Sequence, residues 1–418
     1  YKFEIERDLG WQPFWYALSD AGRRVAILDL PYAPGTSSLN GVLLTDWLIH
    51  DRYGPPRGYP PGFASDVLSR FGDDPINGDS DAFSRGTGDV GALQELLIQR
   101  VRMKASLVAD VHSKGPWNLI FTAFAEPHDI GHIAWSQHDP QNRHHDGAQF
   151  SSLGDPVKNL YIAIDQEIGR LLDLAGNDTT IVVFAGLGMG PNYTANGLMD
   201  RILARIDRDG HLLRSRIAKT FAAAGKPRML VKLASLIDPL ITRYRYSRRR
   251  FFFLPHNENS GAIRINLMGR EPRGRVKPQD YDIVCRELSE IFMELRDPIT
   301  RMPIVKEVVK VSDRPDFHGP FLDALPDLFV VWNRESPFNG VESPRIGRID
   351  GAKSWGRTGD HTPHAMLIIK RPGLQPGTLK SMPHIVDIAP TVARLLDVQL
   401  DNSDGRPIQE IIVPMSER

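Results

Sequence analysis

Short apolar runs alternate along the chain with stretches of helical periodicity. Five of these runs are rich in β-branched and aromatic residues and are bounded by polar or turn-forming residues, as buried strands are. The predicted strands are Val25–Leu30, Asn118–Phe124, Thr179–Phe184, Asp327–Trp332 and Ala365–Ile369. Strands that alternate with helical patterns are typical of an α/β fold.

Two helices are predicted from apolar residues that recur at three- and four-residue steps and therefore share one face. The first spans roughly Val157–Leu174 and lies between two predicted strands, as the crossover helix of a parallel βαβ unit does. The second follows Pro383, where Ile388 and Leu395 belong to the apolar face. We therefore predict a mostly parallel central sheet with helices on both faces, in a single domain over residues 1–418.

Two stretches interrupt this pattern. Residues 54–91 are rich in Gly, Pro, Asp and Ser, which predicts a long surface excursion. Residues 201–250 hold 14 Lys or Arg against 3 Asp and no Glu, a net charge of +11 that the rest of the chain balances. Because an amphipathic helical pattern starts at Met229 in this segment, we predict a basic helical cap, inserted into the domain at residues 201–260.

Composition narrows the class of protein. The 418 residues include 51 Lys plus Arg and 51 Asp plus Glu, with 41% hydrophobic residues. These values are ordinary for a globular protein and exclude a disordered, collagenous or coiled-coil chain. A zero charge balance argues against bulk binding to nucleic acid or to an anionic membrane. No run of about 18 uncharged apolar residues predicts a membrane span.

Cysteine content limits the chemistry further. Cys285 is the only cysteine, so an intramolecular disulfide and a cysteine-based zinc site are both excluded. This usage is compatible with a reducing compartment, and we expect a cytoplasmic protein.

Histidines provide the first signal of a site. Six of the 13 histidines lie between His112 and His145, and the tightest group is Glu126–His132, directly after the predicted strand Asn118–Phe124. Ligand sites in open α/β sheets gather outside the carboxyl ends of strands. His128, Asp129 and His132 are close enough in sequence to converge on one divalent cation. Gly131 would let the backbone turn tightly at such a site. The alternative is a polar loop whose histidines form local hydrogen bonds.

Two further clusters flank predicted strands. Arg357–His364, which includes His361, stands immediately before the strand Ala365–Ile369 and is either a capping loop or part of a site. Phe184–Gly190 holds three glycines in five residues, but it lacks the Lys-Ser/Thr of a P-loop and the full dinucleotide spacing. We therefore regard phosphate binding by this segment as the weaker interpretation.

Basic residues suggest where an anion would bind. Arg243–Arg250 combines arginines with tyrosines, a composition that suits phosphorylated ligands or nucleic acid but also a solvated surface. Arg264, Asn266 and Arg270 lie in a compact, turn-rich stretch, where a guanidinium could receive a phosphate or sulfate. No Gly-x-Ser-x-Gly sequence supports a serine triad.

Five motifs in order resemble those of the alkaline phosphatase superfamily, in its type I phosphodiesterase/nucleotide pyrophosphatase branch and its bacterial phosphohydrolase-like members. The motifs are Glu126–His132, Phe184–Met189, Ala262–Pro272, Thr358–His361 and Val386–Leu396, and the likeness runs from about Phe14 to Ile408. The resemblance implies two divalent metals, usually zinc, and a Thr or Ser nucleophile that attacks phosphate or sulfate esters.

The resemblance places His132 and His361 at the positions of two ligands of one metal. The family's carboxylate, four residues before the first histidine, is replaced by His128, with Asp129 one step away. The family's Ser-Asp-His-Gly segment is replaced by Ala185–Gly188, which offers no side-chain ligand. The family's Asp-bearing first strand and nucleophile would precede Phe14, and residues 1–12 contain no such strand. At most one metal site is therefore expected, and the nucleophile lies outside the sequence or is lost.

We therefore predict an enzyme that hydrolyses or transfers a phosphate or sulfate ester of a small anionic molecule. His128, His132 and Glu126 are the expected catalytic residues, and His128, Asp129, His132 and His361 the expected ligands of a divalent metal, zinc by resemblance. The substrate would be bound by Arg264, Asn266, Arg270 and Arg357.

Two alternatives stay open. One is a biosynthetic enzyme of the same fold that uses histidine acid–base chemistry without a metal. The other is a non-catalytic protein that binds an anion or a partner through residues 201–250. A homodimer is also left open.

Overall fold

The secondary structure follows the apolar pattern in the computed structural model, which describes residues 12–50, 52, 54–76, 89–142, 145, 147, 152–207, 249–254, 259–317, 319, 321–351 and 357–412. Within these residues the helices are α1 (Phe14–Asp20), α2 (Phe63–Phe71), α3 (Val90–Ser113), α4 (Glu126–His138), α5 (Pro156–Ala175), α6 (Met199–Ile206), α7 (Tyr281–Met293), α8 (Ile388–Leu395) and α9 (Gln409–Ile412). The strands are β1 (Val25–Leu28), β2 (Gly41–Thr45), β3 (Arg57–Tyr59), β4 (Leu119–Thr122), β5 (Ile181–Ala185), β6 (Gly188–Pro191), β7 (Phe251–Phe253), β8 (Ser260–Ile265), β9 (Val305–Lys310), β10 (Leu328–Trp332), β11 (Gly340–Ser343), β12 (Gly347–Asp350), β13 (Gly359–Thr362) and β14 (Met366–Lys370).

All five predicted strands are confirmed, as β1, β4, β5, β10 and β14, with ends that differ by at most two residues. Both predicted helices are confirmed as well, as α5 and α8. Asp155 caps α5, because its carboxylate accepts a hydrogen bond from the Lys158 N–H, and Pro156 stands in the first turn. A short 3₁₀ turn at Ile385–Asp387 leads into α8.

The chain divides into two compact units. The first consists of Tyr1–Gly190 and Thr362–Arg418, and the second of Pro191–His361. The single domain predicted over residues 1–418 stays a prediction. Most of the cap predicted at residues 201–260, including Met229, lies outside the described residues.

A four-stranded sheet, ordered β3-β2-β1-β4, organises the first unit. β1 pairs parallel with both β2 and β4, whereas β3 adds to β2 in antiparallel fashion. Alternate residues of β1 enter different cores: Val25 and Ile27 pack with Leu18 of α1, and Ala26 and Leu28 pack with Leu107 of α3. Helices therefore cover both faces of this sheet, as predicted, and the α/β class is confirmed.

The crossover predicted around α5 takes a different form. β5 pairs antiparallel with β14, and the described pairings do not join it to β4. Phe121 of β4 and Phe184 of β5 still approach, with ring centroids 6.1 Å apart. Every residue of β4 and β5 is partly exposed, whereas every residue of β1 is buried.

The second unit contains a four-stranded sheet ordered β7-β8-β10-β9, in which all the pairings are antiparallel. Phe251, Ile263 and Leu328 of this sheet pack against Leu288 and Phe292 of α7. The parallel pairing predicted for the central sheet therefore applies to the first unit.

The described part of the surface excursion predicted at residues 54–91 contains regular secondary structure. It contains β3 and α2, and Val67 of α2 is fully buried against the sheet of the first unit. Phe63, Val67, Leu68 and Phe71 of α2 recur at helical spacing and belong to one core, a pattern that Gly and Pro content does not show. No described helix has both the length and the apolar character needed to cross a membrane.

Candidate functional site

The carboxyl ends of β1, β2 and β4 meet at one edge of the first unit's sheet, because these strands are parallel. Asp29 follows β1 and Asp46 follows β2, and both are buried with left-handed backbone conformations, at φ 56° and 61°. Asp is among the residues that adopt this region most readily. The chain after β4 enters α4 at Glu126. Polar groups from three chain segments are therefore collected at this edge.

Asp29 fixes the loop that follows β2. Its two carboxylate oxygens accept hydrogen bonds from the backbone N–H groups of Trp47 and Leu48, each at 2.9 Å. Trp47 and Leu48 are fully buried. The turn is therefore stabilised by the hydrogen bonds of its backbone and by the packing of these two side chains. The next residues carry His50 to the edge of the sheet.

The predicted loop at Glu126–His132 is instead the start of helix α4. Gly131 lies within the helix and not in a tight turn: a Cβ at this position would lie 2.8 Å from Cε of Met189, so the glycine lets this side chain pack closely against α4. Because α4 is helical, His128 and His132 stand one turn apart on the same face. Their Nε2 atoms are 3.1 Å apart.

Four side chains form what we call the histidine cluster: His50, His128, Asp129 and His132. Oδ1 of Asp129 lies 3.5 Å from Nδ1 of His50 and 3.6 Å from Nδ1 of His128. One potential ligand atom from each of these three residues lies within 4.8 Å of the other two. Asp129 and His132 are buried, whereas the His128 side chain is 31% exposed. His128 is thus the member that a solute can reach most directly.

Two buried cations of α3 lie beneath the cluster. Arg100 donates from Nη1 to Oδ2 of Asp129 at 3.2 Å. Lys104, one turn later, lies with Nζ 3.1 Å from Glu126 Oε1 and 3.4 Å from Asp29 Oδ2, and it donates to the Ala123 carbonyl at 3.0 Å. The two cations compensate the carboxylates that the strand ends bring together, which would otherwise be costly to bury.

The pKa values of the two acidic residues of α4 shift in opposite directions. Burial raises the pKa of Glu126 above its ordinary value, although Lys104 and Arg100 act in the opposite direction. Burial also acts to raise the pKa of Asp129, but the interaction with His128 and the charges of His50 and Arg100 outweigh it and lower that pKa. Asp129 is therefore the carboxylate that stays ionised beside the imidazoles.

Glu126 is fully buried, and among the described residues its ionic partner is Lys104. The catalytic role expected of Glu126 stays a prediction. The carboxylate that faces the histidines is Asp129.

His361 lies at the end of the second unit, in β13. Its backbone carbonyl accepts hydrogen bonds from Nδ2 of Asn259, at 2.6 Å, and from Arg334. That His361 joins the ligands on α4 stays a prediction.

The basic residues expected to bind substrate have other partners within the second unit. Arg264 is buried and donates from Nε to Glu271 at 2.7 Å, and Arg270 forms a bidentate pair with Asp327 at 2.8 and 2.7 Å. Asn266 is buried and donates to the Arg249 carbonyl at 2.8 Å. An anion bound at this stretch would have to displace carboxylates already in place, and substrate binding by these residues stays a prediction. The carbonyl of Arg357 accepts a hydrogen bond from Asn192 at 3.2 Å.

The glycine-rich segment after β5 has a packing role. A Cβ on Gly188 would lie 2.1 Å from the carbonyl oxygen of His364, so this glycine permits two backbone segments to approach closely. Ala185–Gly188 carries no side chain that can ligate a metal.

The sequence interpretation missed His50, Arg100 and Lys104. The signal for His50 was the apolar run Gly41–Ile49, which contains β2 and ends directly before this histidine. Arg100 and Lys104 carried no comparable signal, since charged residues on a long helix are usually exposed.

The donor set of the cluster suits a divalent metal such as zinc. Two imidazole nitrogens and one carboxylate oxygen converge, and these are ordinary zinc ligands. Within the described residues no hydrogen bond reaches Oδ1 of Asp129, although the atom is buried. A buried carboxylate oxygen that faces two imidazoles is a fitting ligand for a cation.

No protein-family model and no curated protein sequence matches the chain. The solved structures that it resembles include an ectonucleotide pyrophosphatase/phosphodiesterase and a phosphonoacetate hydrolase.

Human ectonucleotide pyrophosphatase/phosphodiesterase 5 is 12% identical, with a TM-score of 0.45 over 96% of this chain and 74% of that one. An inactive form of the murine protein in complex with AMP is 13% identical, with a TM-score of 0.44 over 96% and 75%. Phosphonoacetate hydrolase from Sinorhizobium meliloti 1021 is 13% identical, with a TM-score of 0.37 over 89% and 69%. Likenesses this distant leave the reaction to be inferred from the residues of the site.

Proposed function

We propose that this protein is an enzyme that hydrolyses or transfers a phosphate or sulfate ester of a small molecule, with a divalent metal bound at the histidine cluster. The observation that carries the proposal is the convergence of His50, His128 and Asp129 at the carboxyl edge of parallel strands. Binding sites of open α/β sheets lie at this edge. The order of the sequence motifs supports the same reaction class by resemblance.

Zinc is the metal we propose, held by His50, His128 and Asp129. A bound divalent cation supplies Lewis acidity, which stabilises negative charge on the oxygens of a phosphoryl or sulfuryl group. Asp129 contributes the ionised carboxylate of the set.

The two helical histidines have different proposed roles. His128 is partly exposed and is the imidazole that meets the substrate side of the cluster. His132 is buried, and its Nε2 faces Nε2 of His128, so it fixes the orientation and tautomer of that ring.

One observation favours a second candidate function, histidine acid–base catalysis without a metal. Asp129, His128 and His132 form a carboxylate–imidazole–imidazole series, with separations of 3.6 and 3.1 Å. Such a series can orient a ring and pass a proton to or from a substrate. The small-molecule substrate, the cytoplasmic location and the homodimer stay predictions, as does anion binding through residues 201–250.

The experiment is metal analysis and turnover of the full-length gene product, purified without chelator. Turnover is measured with p-nitrophenyl phosphate, bis(p-nitrophenyl) phosphate and p-nitrophenyl sulfate. We expect about one equivalent of zinc, loss of activity on chelation, and a fall of at least about 100-fold in kcat for His128→Ala. His138→Ala is the matched control, because His138 lies on the same helix but pairs with Asp155 at 2.7 Å.

The outcomes separate the alternatives. Well under one equivalent of any divalent metal, with turnover unchanged in His128→Ala, would overturn the proposal. Activity that survives strong chelation yet is lost in His128→Ala would instead establish the metal-independent mechanism.

A further inference from the structure

Arg100 is a buried cation with no direct part in the proposed chemistry. Its side chain is 2% exposed, in the middle of α3, and it contacts two carboxylates. Nε and Nη2 donate to Oδ1 and Oδ2 of Asp74, both at 2.7 Å, and Nη1 reaches Oδ2 of Asp129 at 3.2 Å. A guanidinium can satisfy two carboxylates in this way because its donors form a planar fork.

Asp74 holds Arg100 rigidly in place. Besides the bidentate pair with Arg100, Asp74 accepts hydrogen bonds from Nη2 of Arg52, at 2.5 Å, and from the Ile76 N–H, at 3.1 Å. Both partners of the bidentate pair have side chains that are at most 6% exposed. Nη1, which reaches Asp129, therefore points in a fixed direction.

Asp129 presents its two oxygens to different partners. Oδ2 receives Nη1 of Arg100, and Oδ1 faces Nδ1 of His50 and Nδ1 of His128 at 3.5 and 3.6 Å. Without a donor on Oδ2, the carboxylate would be free to rotate, and the buried charge would lose its compensating cation.

We propose that Arg100 is a positioning residue of the histidine cluster. By holding Oδ2 of Asp129 it directs Oδ1 at His50 and His128 and so sets the affinity of the cluster for a divalent cation. This inference rests on the proposed function. Residues that orient metal ligands typically change metal affinity by about 10–100-fold when they are removed.

Positioning Asp129 requires the planar guanidinium fork of Arg100 and not only its positive charge. A lysine at position 100 would keep the positive charge, but a single ammonium cannot pair bidentately with Asp74 and also reach Asp129. Arg100→Lys should therefore weaken metal binding, to a value between those of the wild type and Arg100→Gln.

The experiment measures zinc affinity of the full-length protein by competition with a chromophoric chelator, after the purified protein is stripped of metal. We expect about one equivalent in the wild type, affinity reduced about 10–100-fold in Arg100→Gln, and an intermediate value in Arg100→Lys. Loaded with cobalt, Arg100→Gln should also show an altered visible absorption spectrum, since the ligand geometry changes. Arg70→Gln is the control, because Arg70 of α2 pairs with Asp66 and Asp110 away from the cluster.

Each outcome decides one claim. A wild type that binds no divalent metal overturns the proposed function, and the inference falls with it. If the wild type binds zinc and a folded variant, Arg100→Gln or Arg100→Lys, has the same zinc affinity and the same cobalt spectrum, the positioning role alone is overturned. Circular dichroism shows whether the variant is folded. Should Arg100→Gln fail to fold, Arg100→Lys carries the test by itself.

Discussion

Nε2 of His128 lies 3.1 Å from Nε2 of His132, one turn further along the same helix. At this distance one nitrogen donates a hydrogen and the other accepts it, so the tautomers of the two rings are linked. Nδ1 of His128 then faces Asp129, which is ionised. The cluster is therefore ordered by its own contacts before any ligand arrives, which is what a metal or proton-transfer site requires.

The first prediction concerns His50, the cluster residue contributed by the loop after β2. His50→Gln should lower zinc affinity by at least about tenfold, because it removes one of the three converging ligand atoms. Competition with a chromophoric chelator measures this, with His138→Gln as the control. Equal zinc affinity in His50→Gln and the wild type would exclude His50 from the metal site.

The sequence predicted the parts of this site that depend on local pattern. His128 and His132 follow an apolar strand closely, so one short segment of sequence was enough to predict their position at a strand end. His50 was not, because its neighbours in space lie 78 residues away along the chain. Its place depends on the parallel pairing of β1 with β2 and β4, which apolar runs alone do not specify.

Long-range pairing also explains the errors in the fold. The apolar runs of β5 and β14 predict two strands, but not that these pair with each other in antiparallel fashion. Likewise, Arg270 pairs with Asp327, 57 residues further along the chain, and no local pattern shows this partner. Arg264 pairs with Glu271, only seven residues away.

The second prediction concerns Lys104 and protein stability. Lys104→Met should destabilise the protein by about 3–5 kcal/mol, since it leaves buried Asp29 and Glu126 without their cation. Lys114→Met, at the end of the same helix, removes only an exposed pair with Asp110 and should cost about 0–1 kcal/mol. Urea unfolding of both variants gives the comparison, and similar costs would mean that the Lys104 contacts are weak.

The third prediction concerns acid stability and the pair between Arg70 and Asp110. The hydrogen bond from Arg70 lowers the pKa of Asp110 from 3.8 to about 2. A carboxylate whose pKa is lower in the folded state stabilises the protein above its ordinary pKa, and this stabilisation is lost as the pH falls from 3.8 towards 2.

Asp110→Asn should therefore lose stability relative to the wild type at pH 6, and the difference should shrink between pH 4 and pH 2.5. Chemical unfolding at a series of pH values measures it. Asp66→Asn removes the other carboxylate bound to Arg70 and serves as the control. A difference that stays constant across this pH range would show that Asp110 titrates at its ordinary value.

The last prediction concerns the glycine-rich segment Phe184–Gly190. Phosphate binding and close packing predict different effects of alanine substitutions in this segment. A Cβ on Gly188 would lie 2.1 Å from the His364 carbonyl oxygen and 2.6 Å from Oγ1 of Thr362, so Gly188→Ala should destabilise the protein by about 3 kcal/mol, the upper end for overpacking. A Cβ on Gly186 would meet only Ile385, at 3.6 Å, which is ordinary van der Waals contact, so Gly186→Ala should be nearly neutral. Thermal and urea unfolding of the two alanine variants measure this difference. If both variants keep wild-type stability while substrate affinity falls in both, the segment binds a ligand through its backbone and the packing explanation is wrong.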